Sequence, residues 1–198
     1  MPQALSKSYF ENTNVVFLAK DLIGKQLTTH IDGVITSGII TETEAYAGRG
    51  DKACHAHLGR FTERTKVMYE SGGIAYVYLC YGIHNLFNIV TNTQGNADAI
   101  LIRAIEPTQG IDIMQKRRKK VEVDKTLTAG PGNVSKALGI TKSHNQYSVT
   151  GDDIWIKDVG QQTANIVETT RIGIDYAEED AELPWRFYDK DSKFVSVK

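Results

Sequence analysis

The chain predicts an α+β fold: a mostly antiparallel, curved β-sheet with surrounding helices and a protruding β-hairpin. Clusters of β-branched and aromatic residues with strand-like patterning recur from Gln26 to Tyr188, and only occasional helical segments interrupt them. Turn dipeptides such as Asp32-Gly33 separate neighbouring strands closely enough to pair them as hairpins. The 198 residues contain no internal repeat or linker, so residues 1–198 are expected to form a single domain with its own core.

The elements follow in order. Val15, Leu18, Ala19 and Leu22 keep helical spacing, Asn12 or Thr13 is placed to cap that helix, and Gly24 is placed to end it. Segments 26–30 and 34–46 flank Asp32-Gly33 as a hairpin, and strand parity puts Glu42, Glu44 and Tyr46 on one face. Segment 48–72 is long, polar and aperiodic, a pattern that marks disorder or function. Segments 74–81 and 83–92 form the aromatic-rich hairpin, turning at Gly82. A strand at 99–105 is closed by Glu106-Pro107, and helices are expected at 111–119 and 134–138. Pro131 and Gly132 sit around the start of the second helix and Gly139 just past its end. Short strands at 154–157, 170–174 and 186–188 complete the chain.

Composition narrows the function. Hydrophobic content of 41% with 24% charged residues is that of a soluble globular protein, and no apolar run approaches the ~18 residues of a spanning helix. The first residues lack a basic start followed by an apolar stretch, so a cytoplasmic protein without membrane association is expected. Cys54 and Cys80 alone do not make a disulfide framework. A net charge of −1 and a pI near 6.5 suit phosphate binding poorly. The charge is uneven, however, with a basic block Lys116-Arg117-Arg118-Lys119-Lys120 and an acidic group of Glu178, Glu179, Asp180 and Glu182. The basic block reads either as a solvated helix end or as a phosphate-facing surface.

The chemistry-bearing residues concentrate between Glu42 and Asn88. Glu44, on a strand beside Tyr46, is a carboxylate suited to orient and deprotonate a water; taken alone it reads more readily as a structural partner for an arginine, and only its aromatic company reverses that. Tyr46, His55 and Tyr78 can wall a slot about one nucleobase thick, since ring faces stack on any π system and favour a cationic one. Each alone is also an ordinary sheet or loop residue. Tyr81 lies on the face opposite Tyr76 and Tyr78, next to Gly82, so its ring protrudes at a hairpin tip, where it can wedge into a duplex or simply cover the sheet. Cys54, His55 and His57 are too cramped for a structural zinc site and no second ligand pair follows. No metal and no cofactor are expected. Phosphate-loop and nucleophile-elbow patterns are missing.

Thr41-Glu42-Thr43-Glu44-Ala45-Tyr46, the run from Gly73 to Gly82 (GIAYVYLCYG), Leu101-Ile102-Arg103-Ala104-Ile105-Glu106-Pro107 and Gly130-Pro131-Gly132 together resemble the alkyladenine, or 3-methyladenine, DNA glycosylases. The resemblance continues in order from the first helix to Val195-Ser196-Val197, and the length is similar to that of bacterial-type members. It implies a monofunctional DNA N-glycosylase. Such an enzyme flips alkylated or deaminated purines, 3-methyladenine and hypoxanthine among them, out of double-stranded DNA and hydrolyses the N-glycosidic bond, leaving an abasic site. By the same resemblance Glu44 is the general base, Arg103 helps hold the water, and Tyr46, His55 and Tyr78 sandwich the base. Asn88 rejects the 2-amino group of guanine, Ile172 lines the pocket through its backbone, and Tyr81 intercalates. His84 departs from the tyrosine of animal relatives. The acidic pI implies that DNA is met by a local basic face, with Lys136, Lys142 and residues 116–120 as candidates. A monomer is expected. The alternative is a non-catalytic nucleic-acid-binding module using the same aromatic hairpin.

Overall fold

In the computed structural model, which describes residues 4–198, the strands are β1 (Gln26–Ile31), β2 (Val34–Tyr46), β3 (Ile74–Cys80), β4 (His84–Thr91), β5 (Asp98–Gln109), β6 (Ile154–Lys157), β7 (Ile166–Thr169) and β8 (Arg186–Asp189). The helices are α1 (Lys7–Phe10), α2 (Val15–Asp21), α3 (Ile111–Arg118) and α4 (Pro131–Leu138). The sheet runs β3-β4-β5-β2-β1-β6, with β8 joined to β2 and β7 to β8, and every pairing is antiparallel.

β2 is the axis. One of its edges pairs with β5 along almost its whole length, while the other pairs with β1 from Val34 to Ile39 and then with β8 from Glu42 to Glu44. The sheet therefore forks where β2 passes from one partner to the next. Three register shifts against β5 bend the strand there, which is how an antiparallel sheet acquires curvature without losing its ladder.

The helices close the core. Asn14 caps α2 by accepting from the Phe17 amide at 2.9 Å, and the helix buries Val15, Leu18 and Ala19 against β2. Pro131 opens α4, where its missing N–H costs nothing, and Gly139 ends it in the left-handed conformation. Phe10, Phe87, Phe187, Ile100, Ile102 and Ile105 are completely buried in the resulting cluster. Each stabilises the fold by about 1.5–3 kcal/mol relative to exposure.

Several expectations are corrected. The cap of α2 is Asn14 rather than Asn12 or Thr13: the helix starts at Val15, the Phe17 amide donates to Asn14, and the Asn12 side chain instead accepts from the Asn14 amide at 2.9 Å. β5 does not stop at Glu106-Pro107 but continues to Gln109; Pro107 is tolerated opposite Gly38, beside a register shift where a ladder donor is dispensable. Segment 170–174 is not a strand. The strand lies upstream at β7, and the chain leaves the sheet after Thr169, turning at Gly173 with a φ of +74°. Within the basic block, Arg117 donates to the Ala137 carbonyl at 3.2 Å and Arg118 to the Leu127 and Thr126 carbonyls at 3.0 and 3.1 Å. Those two guanidiniums stitch helix ends together instead of standing free. Among the described residues no helix is long and apolar enough to cross a membrane.

Candidate active site

Glu42 and Glu44 stand where the sheet forks, and neither side chain has any solvent exposure. Two buried carboxylates persist only if cations and donors meet them, since an unpaired buried charge costs several kcal/mol. The register shifts provide the first cation. Thr41 and Arg103 fall out of one-to-one pairing, and Arg103 bridges the two acids, its Nε 3.1 Å from Glu42 Oε1 and its Nη1 3.2 Å from Glu44 Oε1. Arg186 supplies the second, with Nη1 2.9 Å from Glu42 Oε1. The Ser196 amide and hydroxyl donate to Glu42 at 2.7 and 2.8 Å, so the C-terminal segment is tied into the same cluster. Burial disfavours the Arg103 guanidinium, yet Glu44 and Glu42 outweigh that penalty and raise its pKa.

Glu44 has two further partners. The Ile172 amide donates to Oε1 at 2.8 Å, and the Tyr46 hydroxyl donates to Oε2 at 2.8 Å. Burial first, and then the Glu44 charge, hold the Tyr46 phenol well above its ordinary value, so it stays a donor at any physiological pH. Tyr46, Arg103 and Ile172 all line a cavity of about 450 Å³, a volume in the range of small-molecule sites. The Glu44 side chain does not line it: the carboxylate sits directly behind the wall formed by these three partners. The sequence places Glu44 beside the aromatic slot, and the structure sets it one layer deeper.

His55, Tyr76, Tyr78 and Asn88 also line this cavity. The His55 ring meets Tyr78 edge-on at 4.8 Å, and its Nδ1 lies 2.8 Å from the Tyr76 hydroxyl. Arg64 approaches the His55 Nε2 at 3.2 Å; a guanidinium only donates, so Nε2 accepts and Nδ1 carries the proton of a neutral ring. Burial, with help from Arg64 and Arg60, pushes the His55 pKa down to about 4. The imidazole is therefore uncharged near neutrality. Asn88 donates its amide to the Tyr76 and Leu86 carbonyls at 3.1 and 3.4 Å, which fixes the orientation of a side chain only 4% exposed. β3 and β4 pair from Ile74↔Val90 to Cys80↔His84, leaving Tyr81 in the turn, 91% exposed and at a φ of +50°. Gly132 lets the ring of His84, just past the turn of this hairpin, approach so closely that a β-carbon at Gly132 would lie 3.0 Å from the ring's Nδ1.

A buried acid–arginine cluster behind an aromatic cavity is compatible with several hydrolytic chemistries, and comparison with known proteins decides among them. The family model for methylpurine-DNA glycosylase matches residues 9–193. The chain belongs to the methylpurine-DNA glycosylase family. It is 53% identical to a protein of Chlamydia felis over 92% of this chain and 94% of that relative, and 50% identical to one of Chlamydia abortus over 92% and 96%. It is 43% identical to one of Desulfitobacterium hafniense over 96% and 97%. All three relatives bear the provisional name 3-methyladenine DNA glycosylase.

For this glycosylase-family chain, Glu44, Arg103, Tyr46, His55, Tyr78, Asn88 and Ile172 are brought within one cluster, and Tyr81 also borders the cavity at its hairpin tip. Sequence reading missed Asp51, Arg64, Arg171 and Arg186. Arg171 and Asp51 form a fully buried bidentate pair, 2.5 and 2.9 Å, across 120 residues of chain. No local signal reveals such a pair, because an isolated Asp in a polar loop looks like any solvated one. The 48–72 segment proves to be ordered by three short 3₁₀ turns at Gly48–Gly50, His57–Gly59 and Lys66–Tyr69.

Proposed function

We propose that this protein removes damaged purines from double-stranded DNA by extruding the nucleotide into the cavity and hydrolysing its N-glycosidic bond with a water activated by Glu44. The observation that carries this reading is the Glu44 carboxylate itself, held between Arg103, the Ile172 amide and the Tyr46 hydroxyl immediately behind an aromatic-lined cavity. Oε2 accepts one hydrogen bond, so it has capacity for a water proton once the extruded nucleotide opens the wall in front of it. Attack at C1′ forms the C–O bond as the C1′–N bond breaks; the purine leaves with the bonding electrons and Glu44 takes the water proton. A cationic purine such as 3-methyladenine departs as a neutral base.

The surroundings support that assignment. Tyr46, His55 and Tyr78 offer π surface to the base, and a neutral His55 does not repel a cationic one. Asn88, whose amide is oriented by the Tyr76 carbonyl at the cavity wall, excludes the 2-amino group of guanine in this reading. Tyr81 fills the gap in the duplex, offsetting an unstacking cost of a few kcal/mol. Among the described residues no lysine lines the cavity, which supports cleavage by water without a Schiff base and an abasic site in an unbroken strand as the product. Deaminated purines such as hypoxanthine fit the same slot. The test is release of free base from duplexes carrying single 3-methyladenine, 7-methylguanine, hypoxanthine or ethenoadenine residues, by the wild type and by Glu44→Gln. Excision of none of these lesions, or undiminished excision by Glu44→Gln, would refute the proposal.

A further inference from the structure

We infer that the buried Arg171–Asp51 pair is a positioning unit for Glu44, setting two of the three donors that orient its carboxylate, the Ile172 amide and the Tyr46 hydroxyl; the inference rests on Glu44 being the base. The Ile172 amide, one of those donors, lies in a stretch that has left the sheet, so no ladder hydrogen bond fixes its direction. The neighbouring Arg171 side chain does. Its Nη1 donates to the Ala45 carbonyl at 3.0 Å and its Nη2 to the Asp180 carbonyl at 3.0 Å, tying the residue that follows Glu44 to the segment Asp175–Glu182. The same guanidinium lies between two rings, 4.9 Å from the centroid of Tyr46, the other donor, and 5.1 Å from that of Trp185.

Asp51 completes the unit. Besides Arg171, its Oδ2 accepts from the Ala47 amide at 3.1 Å and its Oδ1 from the Ala53 amide at 2.9 Å. One carboxylate thus joins the end of β2, the segment leading to His55 and the arginine that carries Ile172. Neither side chain of the pair has solvent exposure. A planar fork is required, since a lysine could neither span two carboxylate oxygens nor stack between two rings.

The test must separate positioning from stability. Replacing both members of a buried pair by neutral groups avoids an orphaned charge, so the double variant Asp51→Asn/Arg171→Met is the informative one. It is compared with wild type and with Glu44→Gln on the lesion duplex that the wild type excises fastest. The expected result is a folded protein that binds this duplex within about threefold of wild type but excises the base roughly 10- to 100-fold more slowly in single turnover, the range for a misplaced catalytic group. Excision within twofold of wild type, or slower excision matched by an equal loss of affinity, overturns the inference. If the double variant does not fold, Arg171→Lys is judged by the same two readouts. Undiminished excision by Glu44→Gln would instead remove the reading of Glu44 as the base, which keeps the two failures distinct.

Discussion

Tyr46→Phe isolates the hydroxyl that stands between the Glu44 carboxylate and the cavity. The substitution keeps the ring, and hence its stacking on Arg171 and on any base, while removing the 2.8 Å hydrogen bond to Oε2. Hydrogen bonds to charged groups contribute about 1.5–3 kcal/mol. Glu44 keeps the Ile172 amide at 2.8 Å and Arg103 at 3.2 Å, so the carboxylate is not orphaned and the lower part of that range applies. The variant should lose about 2 kcal/mol of stability by denaturant titration at neutral pH. If the bond is fully expressed in the transition state, single-turnover excision falls roughly 10- to 30-fold, at about 1.4 kcal/mol per decade. Affinity for a lesion duplex should stay within about twofold, whereas Tyr46→Leu, which also loses the ring, should weaken it. Tyr46→Phe that unfolds at the wild-type denaturant concentration and excises at the wild-type rate would refute the role given to this hydroxyl.

Acid should act through His55, whose pKa is pushed from 6.5 down to about 4 by burial and then by Arg64 and Arg60. The folded protein then binds fewer protons than the unfolded chain between these values, so the contribution is complete above pH 6.5 and is lost as pH falls to about 4. That loss is on the order of 2–3 kcal/mol, and denaturant titrations of the wild type and His55→Gln at pH 7 and 4.5 measure it; equal pH dependence in the two proteins would contradict it. Arg103→Lys leaves a point charge that cannot bridge Glu42 and Glu44, so a stability loss of about 3 kcal/mol and a large fall in excision are expected; a variant with wild-type melting and activity would rule out the bridge. Tyr81→Ala removes a 91% exposed ring and should leave the melting temperature unchanged while weakening binding to duplex DNA; unchanged binding and excision would end the wedge assignment.

Runs of β-branched and aromatic residues bounded by turn residues were enough to place β2, β3 and β4, because such side chains suit a packed, pleated surface; most of β2 and β4 is in fact buried on both faces. Parity also put Glu42, Glu44 and Tyr46 on one side of β2, and the contacts of Arg103 and Tyr46 with the two acids agree with it. It failed where another force overrode the local pattern. Ile172 and its neighbours have strand-like composition, yet their amide is taken by Glu44 rather than by a ladder. Pro107 reads as a strand end, yet a register shift accommodates it inside β5.

By itself the sequence determined β1 to β4, the family motifs, and Glu44 with the aromatic residues assembled around it, since side-chain type and turn signals are properties of short segments. Tertiary structure alone decided that Glu44 is covered rather than open, that Arg103 joins two acids, that Arg117 and Arg118 turn inward, and that Arg171 finds Asp51. Those outcomes depend on the cost of leaving a charge unpaired away from water, and the partners that meet the cost lie from 8 to 120 residues away along the chain.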